Sequence, residues 1–205
     1  MKTTLLLIFL FLVGTINAQE QFINFLKRAE LPSCFDGLND EQIDRLVTER
    51  EIQADWTTFR LDYDRQKEVL YLHTSNHCDD IQKIHLKRIV HKEREYVFMY
   101  KERVPHSNTY GRLRVFQKDE DEWHRGRVVE VTWEQLFQLN ERDLKRLKNA
   151  DQFPKYMLRF EERNIIFDIP WKLYTFGEGS EIDGFAKSNA KSAAKFPYHY
   201  FLLSN

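Results

Sequence analysis

The chain has 205 residues, with 31 Lys and Arg against 32 Asp and Glu and a formal net charge of −1 at neutral pH. Aromatic residues make up 14% and hydrophobic residues 42% of it, which excludes a disordered chain. With 7 glycines it offers few places for backbone to cradle a phosphate, and it has no phosphate loop, dinucleotide-binding glycine pattern or zinc-ribbon spacing.

Residues 1–18 read as a secretory signal peptide. Lys2 is the positive start, Leu5 to Val13 is an unbroken apolar run, and Ala18 is a small residue at a plausible cleavage point before Gln19. The run of about nine residues is short for a hydrocarbon core of roughly 30 Å, so a membrane anchor is the weaker alternative. No cysteine sits at the cleavage point to support lipid anchoring. Residues 19–205 then suit a single domain with its own core, and no later segment approaches transmembrane length. Export argues against a nucleic-acid partner. It also places Cys34 and Cys78 in an oxidising compartment, where an even count favours a disulfide between them. That bond would close a loop of about 43 residues and stabilise the fold by about 3–4 kcal/mol if unstrained.

In chain order, Phe22, Phe25 and Leu26 fall at helical spacing in a segment that Pro32 ends. Asn39 or Asp40 caps a second helix, with Ile43, Leu46 and Val47 on one face, expected to run to about Ala54. Trp56, Phe59, Leu61 and Tyr63 fit helix and strand equally. Strands follow at Glu68 to His73, at Gln82 to His91, and at Glu95 to Val104. In the second, Ile84, Leu86 and Val90 alternate with His85, Lys87 and His91. The third is apolar on both faces and therefore central. Tyr110 to Val131 reads as a hairpin, since alternation on both sides flanks the charged tip Lys118 to Glu122. Thr132 to Gln135 fits a capping box opening a helix, and Asn140 caps a further turn carrying Leu144 and Leu147. Tyr156 to Phe160 and Ile165 to Ile169 form a last hairpin, and Phe196 to Leu203 an edge strand of the same sheet. Residues 177–195, rich in Gly, Ser, Ala and Lys, read as a loop or mobile flap. The similarity of Leu38–Leu46 to Leu139–Leu147 is what two independent capped helix starts produce.

Charge is uneven. Residues 19–80 carry 7 Lys and Arg against 14 Asp and Glu, whereas residues 81–127 carry 12 against 7. Lys83, Lys87, Arg88, Arg112, Arg114, Arg125 and Arg127 are the candidates for an anion-binding sheet face. The plainer alternative is a solvated face. Trp123, Trp133, Trp171 and Tyr174 are candidates for an aromatic platform, of which at least half belong in a core.

The densest polar cluster runs from His73 to Asp80. His73, His77, Cys78 and Asp79 are the right ligand types for zinc, but the stretch follows a strand and reads as a loop, where spacing promises little. Gly177 to Ser180 is no nucleophile elbow. Glu120, Asp121 and Glu122 at a hairpin tip are solvated and unsuited to acid–base work. Asp168, between Phe167 and Ile169, is the acid whose pKa burial would raise, unless it faces solvent or pairs with an arginine.

The expected fold is α+β: an antiparallel sheet of about five to seven strands, with the N-terminal and inserted helices packed on one side. The expected function is that of an exported, non-catalytic binding or envelope-associated module. Its candidate ligand surface is Arg112, Arg114, Trp123, Arg125 and Arg127, its partner an anionic glycan or an envelope protein, and it uses no cofactor. The alternative is a small secreted hydrolase, metal-assisted through His73, His77 and Asp79.

Overall fold

The computed structural model describes residues 22–29, 38–76, 81–104, 113–136, 141–142, 144–145, 156–168 and 193–202. Helix α1 (residues 22–28) is short, and it buries Phe22, Phe25 and Leu26, the three residues whose spacing predicts it. Helix α2 (Asp40–Glu49) starts at a full capping box: the Asn39 side chain accepts from the Gln42 amide, and the Gln42 side chain accepts from the Asn39 amide, each at 2.9 Å. Ile43 and Leu46 form its buried stripe.

Sequence spacing extends α2 to about Ala54, but the helix stops at Glu49. Arg50 turns left-handed (φ 69°) and its N–H caps the Leu46 carbonyl. The chain then enters β1 (Glu51–Ala54), which pairs with β2 (Thr57–Asp64). The ambiguous run from Trp56 to Tyr63 is therefore mostly strand. Next come β3 (Val69–Asn76), β4 (Ile81–His91), β5 (Arg94–Val104), β6 (Leu113–Asp119) and β7 (Glu122–Arg125). Each pairs antiparallel with the one before it, so the seven strands lie in the sheet in chain order. The hairpin around the acidic tip is present, but its second strand ends at Arg125. Residues 126–132 have no regular structure, although Val128 to Val131 carry an alternating pattern.

A second sheet departs from expectation. β8 (Met157–Phe160), β9 (Asn164–Asp168) and β10 (Ala193–Pro197) form a separate three-stranded antiparallel sheet in the order β10-β9-β8. They do not close the main sheet. Strand β10 also begins inside the segment 177–195 that composition alone reads as a loop.

The main sheet is covered on both faces. On one, α1 and α2 pack Phe22, Phe25, Leu26, Ile43 and Leu46 against Phe59, Leu61, Leu72, Leu86, Met99, Phe116 and Trp123. On the other, the second sheet packs Leu158, Phe160, Ile165 and Phe167 against Val69, Phe98, Tyr100 and Val115. The short helix α3 (Trp133–Leu136) belongs to this second cluster, through Trp133 and Leu136. The helices are thus on opposite faces, not on one side as their sequence placement suggests. β5 is sandwiched, and Val97, Phe98, Met99 and Tyr100 are all buried.

Lys87 is the exception on the second-sheet face. It is 1% exposed, and its Nζ reaches the Lys67 carbonyl at 2.5 Å and Glu68 Oε2 at 3.4 Å. Its stem is packed in the core while the ammonium pins the β2–β3 turn.

The β4–β5 connection is a two-residue turn between His91 and Arg94, with Lys92 (φ 48°) and Glu93 (φ 65°) both left-handed. This geometry favours Asn-Gly and strains side chains bearing a Cβ. The double substitution Lys92→Asn and Glu93→Gly is expected to raise stability by about 1 kcal/mol in urea denaturation. A loss of stability there would contradict the turn assignment.

Candidate functional site

A groove of about 400 Å³ lies at the β7 end of the main sheet, lined by Arg28, Phe116, Asp121, Glu122, Trp123, His124 and Arg125. Its floor is set by packing. Phe25 of α1 meets Trp123 edge-on at 5.1 Å and Phe116 edge-on at 5.2 Å. The helix thereby clamps the last two strands, and Arg28, one turn on from Phe25, joins the groove wall. Trp123 is 8% exposed, and its indole N–H is buried with no acceptor among the described residues. An unmet donor of this kind is uncommon in a folded core.

The groove is electrically polarised. Asp121 and Glu122 stand at the hairpin-tip end, and Glu122 lies 3.7 Å from His124. Arg125 is three residues further along the strand, roughly 10 Å at strand pitch. Neither Arg28 nor Arg125 takes part in a salt bridge among the described residues.

The surface expected from sequence is only partly assembled. Trp123 and Arg125 share the groove. Arg127 is exposed beyond the end of β7, Arg114 lies opposite Met99 on β6, and Arg112 lies outside the described residues. The other basic candidates among the described residues do not all share one face. Lys83 and Lys87 point to the second-sheet face, Lys87 is buried, and Arg88 is engaged by Glu95. Arg28 had no sequence signal, because only the docking of α1 onto β7 brings it in.

His73 faces Asp62 (Nε2 to Oδ2, 3.5 Å) on the second-sheet face, while His77, Cys78, Asp79 and Cys34 lie outside the described residues. Among the described residues no three His, Cys, Asp or Glu side chains converge to hold a metal ion, and no helix is long and apolar enough to cross a membrane. Asp168 does not lie in an apolar site. Arg159 binds it through Nε (2.5 Å) and Nη2 (3.2 Å). Of the aromatic candidates, Trp133 is a core residue, and Trp171 and Tyr174 lie outside the described residues.

The same face carries a polar ladder that sequence did not reveal. Strand register aligns Arg60, His73, Lys83 and Glu102 in one row, and Asp62, Tyr71, His85 and Tyr100 in the next. His85 Nε2 lies 3.3 Å from Glu102 Oε2, and its ring meets Tyr71 and Tyr100 edge-on at 5.0 and 5.6 Å. The His85 hydrogen bond holds the Glu102 carboxyl below the usual range. Burial holds the His73 imidazole below its usual value, against the opposing pull of Asp62. Burial also raises the Tyr100 hydroxyl, which donates to the Tyr156 carbonyl at 3.4 Å. These contacts are what a satisfied polar margin of a core requires.

The chain matches no family model, no curated protein and no solved structure.

The ladder makes stability acid-sensitive in two steps of the same sign. As pH falls through about 6.5, the unfolded chain protonates His73 before the folded one does, so stability falls. Below about 4.3 the unfolded chain likewise protonates Glu102 first, and stability falls again. Urea midpoints measured from pH 7.5 to 3.5 are expected to decline in both windows, and Glu102→Gln removes the Glu102 contribution to the lower one. A midpoint that rises on acidification to pH 5 would contradict the assignment.

Proposed function

We propose that the protein is an exported, non-catalytic binding module whose ligand seat is the groove between α1 and β7. Export is read from residues 1–18. One observation carries the binding reading: Arg28 and Arg125, neither committed to a salt bridge among the described residues, line one groove with the buried indole of Trp123. Guanidinium groups beside an aromatic surface suit a carboxylate or similar anion. Asp121 and Glu122 at the other end of the groove disfavour a uniform polyanion. The ligand is therefore one with a localised negative charge, as on an acidic glycan carrying isolated uronates or on a segment of an envelope protein.

The test is a thermal-melting screen of the exported protein against oligosaccharides with isolated uronates and against short peptides carrying a single acid. A ligand at about a hundred times its Kd contributes about 2.7 kcal/mol, a rise in Tm of roughly 5–10 °C for a chain of this size. Arg125→Glu is expected to remove most of that rise. Arg163→Glu, on the exposed β8–β9 turn, should leave it unchanged. A ligand whose effect survives both Arg28→Glu and Arg125→Glu would place the site elsewhere.

A further inference from the structure

We infer that the groove's occupant is an extended peptide segment of another protein, which adds to β7 as an eighth strand of the main sheet; this rests on the groove being the ligand seat. Among the described residues β7 is the last strand of the sheet, paired with β6 on one side only. The register shows which backbone groups that leaves open. Arg125 lies opposite Phe116, and the next residue, Gly126, donates its N–H to the Val115 carbonyl at 2.8 Å. In an antiparallel pair, bonded and non-bonded positions alternate. Gly126, His124 and Glu122 therefore turn their N–H and C=O groups toward β6. Trp123 and Arg125 turn theirs outward, away from β6.

Two donors and two acceptors are thus presented along the open edge at a two-residue pitch of roughly 7 Å. That spacing matches another strand and has no counterpart in a sugar ring. The groove has the form this pairing needs. Its lining includes five consecutive residues, from Asp121 to Arg125. Successive strand side chains point to opposite faces, so the groove follows the length of β7, and Phe116 and Arg28 in its lining extend it onto the helix-covered face. β7 is four residues long and bears charges, features that blunt indiscriminate edge pairing, so the added segment is short.

Charge fixes the partner's chemistry. An acidic side chain in the added strand falls beside Arg125 and Arg28. A basic one, roughly three residues away, falls beside Asp121 and Glu122 at the hairpin tip. The partner is a short extended segment with an acid and a base so spaced, recognised by main-chain pairing with side-chain selection, as in strand addition generally.

The experiment pans a random dodecapeptide library on the full exported protein and titrates the enriched peptides by Trp fluorescence. N-methylation of the peptide backbone is expected to weaken binding by about tenfold or more at every second residue and little at those between. On the protein side, Arg125→Pro deletes an outward N–H without removing a bond to β6. It is therefore expected to bind at least about tenfold more weakly than Arg125→Ala. The N-methyl scan decides the matter if Arg125→Pro fails to fold.

Failure to enrich any peptide, or binders indifferent to N-methylation, overturns the inference. In that event, Arg125-dependent binding of uronate-bearing oligosaccharides would leave the groove as a ligand seat for sugars. Loss of that binding as well would remove the groove reading itself.

Discussion

The structure depends on one constraint: a single sheet that must be apolar on both faces at its centre. β5 carries the burden, with Val97 and Met99 turned to the helices and Phe98 and Tyr100 to the second sheet. A one-residue slip would exchange the two sets. The residues opposite β5 agree with it on each face, Leu86 with Met99 and Phe98 with Val115. On the second-sheet face polarity reaches the strand beside this centre, with His85 opposite Tyr100 and Lys87 opposite Phe98. It continues in the rows that align His73 with Lys83 and Tyr71 with His85, and Lys87 carries its ammonium out to the β2–β3 turn.

The same constraint places the groove. Helical cover over the last strands is supplied by Phe25, whose edge contacts fix both Phe116 and Trp123. Nothing among the described residues pairs with the far side of β7. A strand clamped on one face and unpaired along one edge is rigid where a ligand needs definition and open where it needs backbone groups. The arginines come from opposite directions, Arg28 from the helix and Arg125 from the strand. The polar ladder on the other face has closer titratable contacts, such as His85 with Glu102, but those groups satisfy one another.

Local pattern made much of this legible in the sequence. Asn39 and Gln42 specify the start of α2, the alternation of Ile84 and Leu86 with His85 and Lys87 assigns the faces of β4, and the doubly apolar run of β5 marks it as central. Thr132 and Gln135 mark the start of α3, where the Thr132 amide donates to Gln135 Oε1 at 2.8 Å. What depends on tertiary placement was not legible. The strands β8 to β10 carry ordinary strand signals, and nothing local says that they form a second sheet. Lys87 reads as a solvated cation, because its acceptor, the Lys67 carbonyl, is set by register. Trp123 and Arg125 stand out as residue types, but Arg28 enters only through helix docking, and the polar row of Arg60, His73, Lys83 and Glu102 exists only once four strands are aligned.

Residue-resolved amide hydrogen exchange of the unliganded protein tests the central claim, an open β7 edge, most directly. The account predicts slow exchange at His124 and Gly126, whose N–H groups point to β6, and fast exchange at Trp123 and Arg125, whose N–H groups point outward. The contrast is sharp because the Trp123 side chain is itself buried. Protection of the Trp123 and Arg125 amides equal to that of His124 would contradict the account, since the edge would then already be paired and have no place for an added strand.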